Sequence, residues 1–332
     1  MWIFVEKESY KFEINLFEKF INESQSILVT AHSFPDADAI CSAQIMKSIL
    51  KKRFGKDCDV AMDGEIGRLL KPFCKDILEI KDIKSGYDLI ICLDSASVDR
   101  VGKVGELIGA SKRTVNIDHH ATNERFAMLN YVDETASSTC EIIYSMCLEH
   151  YPDIINPQMA RFAYAGIITD TNGLMANNIQ SKTYQVVADI VNQGLNVDII
   201  KNYFFKSYSK AKLQLFGKAL NSINFYANNK IAVISISKED MDECEANFDD
   251  TLGMVDYALN CYLVDIAVAI IEQESGKFYI SLRSKHTNVA DIAQSFGGGG
   301  HSNVAAFQYA GKLSDVFDNL INSSALKLAE KA

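Results

Sequence analysis

Short apolar runs that stop on ionisable residues constrain this chain more than any other feature. SILVTA (26–31) leads into His32, Asp36 and Asp38; LIICL (89–93) stops on Asp94; KRTVNID (112–118) runs into His119 and His120. Segments with helical spacing flank them, FEINLFEKFINE before the first run and DADAICSAQIMKSILKKRF after it. Such alternation predicts an α/β domain built on a mainly parallel sheet. CDVAM reads as a further strand, and STCEIIYSMCLEH, PQMARFAYAGI and SKTYQVVADIVNQGL read as helices. KAKLQLFGKALNSINFY is expected to form one long helix bridging two domains. Beyond it KIAVISI, VDIAVAIIEQ and KFYISLRS alternate as strands, with a helix at VADIAQSF and another from Leu313, which makes a smaller C-terminal α/β domain. The expected division is a larger domain over 1–208, a linker helix over 209–228 and the smaller domain over 229–332.

Composition narrows what such a protein can act on. A formal net charge of -10 on 332 residues gives no global basic field to hold a long duplex by counterion release. A phosphate-bearing substrate must therefore be gripped locally, by bound cations and a few Arg and Lys side chains. The eight cysteines form no C-x-x-C pair and several sit in apolar runs, as expected of reduced thiols in a cytoplasmic protein. The segment MWIFVEKESYKFE meets charge after five residues, and no apolar run approaches the ~18 residues of a membrane span, so a soluble, unexported protein is expected.

Each ionisable cluster has a plain alternative when taken singly. Asp-x-Asp after a strand serves as a helix cap or a solvated turn, and Asp94 could cap a helix. Asp118, His119 and His120 could be a surface loop, and Asp170 in AGIITDTNG could belong to the turn before Asn172-Gly173. Taken together they read differently, because groups just past the carboxyl ends of parallel strands meet at one crevice. Two imidazoles and four carboxylates in one place need cations among them, and this mixture suits manganese, with cobalt, magnesium, iron or zinc as competitors. Two ions need a shared carboxylate. Asp94 fills that place, with His32 and Asp36 on one ion and Asp38, His119 and Asp170 on the other. Such a pair lowers the pKa of a shared water and so prepares a nucleophile for phosphorus. His120 is left to contact phosphoryl oxygens or protonate the leaving oxygen, and Asp118 to orient an imidazole. His150 and His286 are expected at the surface.

In the second domain, SLRSKHTNVADIAQSFGGGGH joins Arg283 and Ser284 to a four-glycine run and His301. An isolated glycine run is an ordinary flexible turn. Here Arg283 and His301 add donors, so the amides of Gly299 and Gly300 are candidates for an anion or nucleotide pocket, with Lys285 either adding charge or solvated.

In their order, these segments resemble the DHH phosphoesterases, specifically the short two-domain members called nanoRNases or oligoribonucleases. AHSFPDADAI, LDSAS, DHH and TDT resemble the family's four N-terminal motifs, and LRSK with GGGGH resembles the signature of the DHH-associated C-terminal domain. The resemblance covers nearly the whole chain. It implies metal ligation by His32, Asp36, Asp38, Asp94, His119 and Asp170, with His120 at the phosphate. It also implies substrate binding by Arg283, Ser284, Gly299, Gly300 and His301. The implied activity is hydrolysis of short single-stranded RNA and small nucleotides such as pAp or pApA. Cyclic-dinucleotide cleavage, pyrophosphate or polyphosphate hydrolysis, and a nucleotide-binding module without turnover are the alternatives, and the chain leaves room for a homodimer. It departs from the family pattern at Ala37 and Phe307, each where glycine is usual, and at Leu174 and Met175, where an aromatic and a basic residue are frequent. The last two follow a ligand segment and bear on how the substrate's terminal group is contacted.

Overall fold

The computed structural model describes residues 13–176 and 179–329, which divide between Ser207 and Tyr208 into two compact units. The first contains helices α1 (Ile14–Asn22), α2 (Ala37–Phe54), α3 (Thr139–His150), α4 (Pro157–Asp170), α5 (Ser181–Asn192) and α6 (Val197–Phe205). Its strands are β1 (Ile27–Thr30), β2 (Asp59–Val60), β3 (Leu89–Leu93), β4 (Arg113–Asp118) and β5 (Leu129–Val132). They form a five-stranded, wholly parallel sheet in the order β2-β1-β3-β4-β5. Every residue of β1 and β3 is buried, because helices and turns cover both faces. Side chains alternate accordingly: Ile27 and Val29 pack with α1 to α4, while Leu28 packs with Ile90, Val101 and Ile108 on the opposite side.

Register is what builds the site. Thr30 pairs with Cys92, and Leu93 with Ile117, so the chain leaves β1, β3 and β4 at nearly one level. All strands being parallel, these exits share an edge, where the ionisable residues of each segment follow. Helix α2 starts there as well. Asp36 is its N-cap, accepting from Ala39 N at 3.0 Å, and Gly55 closes its far end at φ 65.

The second unit contains α7 (Lys210–Asn221), β6 (Asn224–Tyr226), β7 (Ile231–Ile236), α8 (Lys238–Glu243), α9 (Phe248–Thr251) and α10 (Met254–Leu259). There follow β8 (Ile266–Glu274), β9 (Lys277–Ser284), α11 (Val289–Ser295), β10 (Gly299–His301), β11 (Val304–Ala310) and α12 (Leu313–Ala329). Its six-stranded sheet has the order β10-β11-β9-β8-β7-β6, with β7 and β8 parallel and the other pairs antiparallel. One apolar layer forms under α7 and α10, around Leu215, Ile234 and Met254. Another forms under α11 and α12, around Val268, Leu282 and Leu320.

Two features differ from the sequence expectation. The helix expected to run on through NSINFY ends at Asn221, and NFY is the strand β6. Gly299 and Gly300 of the glycine run, expected as a flexible turn, form β10 with His301, paired against β11. The glycines answer to packing: a Cβ on Gly298 would lie 2.3 Å from Ala306 O, and one on Gly300 2.4 Å from Val304 O. Phe307, where the family usually has glycine, fits because Gly298 faces it without a side chain. A Cβ on Gly298 would lie 2.4 Å from the Cβ of Phe307, whose ring stacks on Phe296 with centroids 4.7 Å apart.

Candidate metal centre

The exits of β1, β3 and β4, the start of α2 and the end of α4 bring the six expected ligands together, with His120 beside them. His32 Nε2 lies 3.6 Å from Asp94 Oδ2 and 3.8 Å from Asp36 Oδ1. His119 Nε2 lies 3.5 Å from Asp94 Oδ1 and 3.4 Å from Asp170 Oδ2. Three overlapping groups have donor atoms within 4.8 Å of one another: His32, Asp36 and Asp94; Asp38, His119 and Asp170; and Asp94, His119 and His120. Asp94 has an oxygen toward each imidazole, as a shared ligand would. Ligands about 2.0–2.2 Å from one ion, at tetrahedral or octahedral angles, stand about 3 to 3.6 Å apart. The four imidazole–carboxylate separations sit at or just beyond that range, so these residues could hold a metal ion.

Backbone and neighbouring groups set each donor. Asp94 follows β3 in a left-handed conformation, φ 51, with its amide bonded to Ile117 O at 3.0 Å, and Thr139 Oγ1 donates to its Oδ1 at 3.1 Å. A non-glycine residue in that region is uncommon and costs energy the surroundings must supply, a pattern concentrated at functional sites. Asp38 is fully buried yet satisfied, accepting from Thr139 N at 2.7 Å and Cys140 N at 2.9 Å at the start of α3. The positive end of that helix favours the ionised form, against the burial and neighbouring carboxylates that oppose it. His32 Nδ1 faces Ser33 O at 2.9 Å, which leaves Nε2 toward the cluster. His120 Nδ1 is 2.7 Å from Asp118 Oδ1, closer than its 3.7 Å to Asp94. Asn123 holds the other oxygen of Asp118 at 2.6 Å and is itself tied to Asn116 and to Ser95 O.

Electrostatics show a cluster in need of positive charge. Burial alone would lower the His32 imidazole, but hydrogen bonds to Asp36 and Asp94 and their charges push it up to about 11. Buried His119, held chiefly by Asp94, is likewise pushed up to about 10. Burial raises Asp170 to about 7 with help from Asp94 and against the pull of His119, while burial and then the charges of Asp94 and Asp170 raise Asp38 well above the carboxylate range. Asp94 goes the other way: burial would raise it, but His119 and His32 hold it well below the usual range. Protons thus stand where cations would.

Of the second-domain candidates, Arg283 lies on β9 with Nε 3.4 Å from Asp256 and Nη1 3.0 Å from both Ser281 Oγ and Leu282 O. Ser284 is buried, its hydroxyl donating to Thr287 O. Lys285 is tied to Cys261 O at 2.8 Å rather than free in solvent. Gly299 and Gly300 pair with Ala306 and Ala305, and the His301 side chain lies outside the described residues. His150 and His286 are exposed, as expected.

Sequence reasoning missed Thr139, Cys140 and Asn123. The first two could have been found, since Ser138-x-x-Glu141 has the spacing of a helix start and Ser138 does cap α3, accepting from Glu141 N at 3.0 Å. Asn123 leaves no comparable signal.

A parallel sheet whose strand ends deliver imidazoles and carboxylates to one edge, joined in sequence to a separate mixed-sheet unit, gives a protein with a site that could hold a metal ion. Comparison with known proteins specifies which kind. Residues 26–167 match the DHH family, N-terminal domain, and residues 228–327 match the DHHA1 domain. The chain is 26% identical over 285 residues, covering 85% of its length and 88% of the relative's, to a probable bifunctional oligoribonuclease and PAP phosphatase of Streptococcus mutans. A bifunctional oligoribonuclease and PAP phosphatase of Bacillus subtilis is 23% identical over 278 residues, covering 83% of this chain and 87% of the relative. The crystal structure of an exopolyphosphatase-related protein from Bacteroides fragilis superposes with a TM-score of 0.87 at 26% identity, over 94% of this chain and 96% of that one. The chain thus carries a DHH family N-terminal domain followed by a DHHA1 domain, and is a hydrolase of phosphoric esters.

Proposed function

We propose that this hydrolase uses two manganese ions to cleave short oligoribonucleotides and small phosphorylated nucleotides such as pAp and pApA. The observation that carries the reading is the placement of Asp94 between two ligand groups, His32 with Asp36 on one side and His119 with Asp38 and Asp170 on the other. Bound there, a pair of divalent ions supplies Lewis acidity toward the phosphoryl oxygens and makes water acidic enough to react near neutral pH. The names of the S. mutans and B. subtilis relatives give both activities, oligoribonuclease and PAP phosphatase, to one protein.

The chain's own groups do the rest. Asp118 accepts the Nδ1 proton of His120, which leaves Nε2 to address the phosphoryl group or hand a proton to the leaving oxygen. The hydrogen bond to Asp118 raises the His120 pKa, with Asp94 adding to it against burial, so the imidazolium that a proton donor needs is favoured. Asn123 fixes Asp118 and with it the imidazole plane. In the second domain, Arg283, Ser284, Gly299, Gly300 and His301 are assigned to the nucleotide. Arg283 supplies the charge, and the glycines supply amides that no side chain obstructs. A cytoplasmic setting agrees with eight unpaired cysteines, and no helix among the described residues is long and apolar enough to cross a membrane.

The B. fragilis structure's description as exopolyphosphatase-related favours a second reading, hydrolysis of a phosphate chain. One assay separates them. Protein with manganese is incubated with pAp, pApA, cyclic di-AMP, RNAs of two to five nucleotides, pyrophosphate and polyphosphate, and the products are resolved by chromatography. Mononucleotide or phosphate from the nucleotide substrates is expected, with turnover abolished by Asp94→Ala. Activity on polyphosphate alone, or full activity in Asp94→Ala, would refute the proposal.

A further inference from the structure

We infer that the Phe34 ring is a platform for the nucleobase next to the scissile phosphate, which makes Phe34 a substrate-positioning residue; this rests on the nucleotide reading proposed above. Phe34 lies two residues from each of His32 and Asp36, within the segment that joins two candidate ligands. Its side chain is nevertheless 74% exposed and contributes nothing to the core. Its backbone is also in a conformation that bulky residues avoid, φ 53, immediately before Pro35.

The surroundings are built to hold it there. Phe34 N donates to Asp63 O at 2.8 Å, and Ser33 N donates to Arg100 O at 2.6 Å. Asp63 is fixed in turn, its carboxylate accepting from Gly64 N and Lys103 N, each at 3.0 Å. Two glycines at positive φ clear the space: a Cβ on Gly64 would lie 2.8 Å from Phe34 N and 2.9 Å from its ring, and one on Gly102 2.6 Å from Asp63 Oδ2. Folding gives no reason to brace an apolar ring in water. Binding does, because a segment already fixed at its backbone loses little further entropy when a ligand covers the ring it carries. The ring carries no charge and no hydrogen-bonding group, so what it recognises is a flat π-face. A nucleobase has one and a phosphate chain has none. Stacking of this kind accepts any base, as an enzyme acting on short RNAs of mixed sequence requires.

The test uses manganese-loaded full-length protein with two substrates, pAp and its abasic counterpart ribose 3′,5′-bisphosphate. Stacking on a single base corresponds to roughly 5- to 150-fold in affinity. Phe34→Ala is therefore expected to raise KM for pAp by about fivefold or more with kcat little changed, since stacking holds ground and transition states alike. KM for the abasic substrate should not move, and Phe34→Tyr should restore the wild-type value for pAp. An unchanged melting temperature for Phe34→Ala, expected of so exposed a ring, shows that the fold is intact. If the wild type turns over both substrates while Phe34→Ala leaves KM for pAp unchanged, or raises both KM values equally, the inference is overturned and the nucleotide reading survives. If the wild type turns over neither of these nor pApA nor the RNAs of two to five nucleotides, the nucleotide reading falls and takes this inference with it.

Discussion

His120 shows how much one side chain depends on the residues behind it. Its Nδ1 is 2.7 Å from Asp118, and Asp118 is pinned on its other oxygen by Asn123. In Asp118→Asn the amide can present its nitrogen or its oxygen to the ring, so the carboxylate that favours the imidazolium is lost. Activity should drop by roughly 10- to 100-fold, the usual cost of removing such a partner, and manganese content should be unchanged because Asp118 is in none of the ligand groups. Metal analysis alongside kcat decides it: loss of metal together with activity would make Asp118 part of the cation site instead. At this scale the sequence was informative where chemistry is concentrated. His32, Asp94, Asp118 and His119 stand out because ionisable residues directly after buried strands need a reason. Thr139 and Asn123 do not, because a hydroxyl or an amide is ordinary anywhere in a sequence and gains meaning only from what it faces. Phe34 was passed over for the same reason: only its exposure and its φ set it apart.

At the scale of elements, the site depends on close approach of α4 to α2 and α3. Gly166 on α4 permits it, since a Cβ there would lie 2.6 Å from Asp38 Oδ1 and 2.4 Å from Cys140 Sγ. Gly166→Ala should therefore act twice. Overpacking is expected to cost about 1–3 kcal/mol in stability, and Asp38, pushed from the amides of Thr139 and Cys140, should bind metal more weakly. Urea denaturation of the metal-free protein reads the first effect and a manganese titration the second; wild-type values in both would show that α4 has room to spare. The alternation of strands and helices was legible because buried parallel strands are continuously apolar. Boundaries were less so. Leu215, Ala219 and Ile223 keep a four-residue spacing, which extends the pattern of α7 past its true end at Asn221 and hides β6, an edge strand with Asn224 and Phe225 exposed. β10 was hidden differently: its glycines have no side chains to alternate, and the backbone of β11 against which they pack is invisible in sequence.

Across the whole molecule, the two units have separate apolar cores, and the candidate ligands all belong to the first. Manganese bound only to the folded site should stabilise that unit by about 2.7 kcal/mol at a hundred times Kd. For a unit of some 200 residues this is on the order of 5–10 °C in melting temperature. Calorimetry should then show one transition moving upward with manganese while a second stays in place, and no movement in Asp94→Ala. The pH dependence has a definite sign. In the metal-free protein His32 and His119 are raised to about 11 and 10, so both hold protons at neutral pH, and Asp170, raised to about 7, gains one as pH falls through that value. Ligands must lose these protons to accept a cation, so manganese binding releases protons, tightens as pH rises and weakens as pH falls through neutrality. The manganese-induced shift should shrink correspondingly on acidification. Titrations in buffers of different ionisation enthalpy count the protons directly; binding that released none near neutral pH would mean that manganese settles elsewhere than among these six side chains.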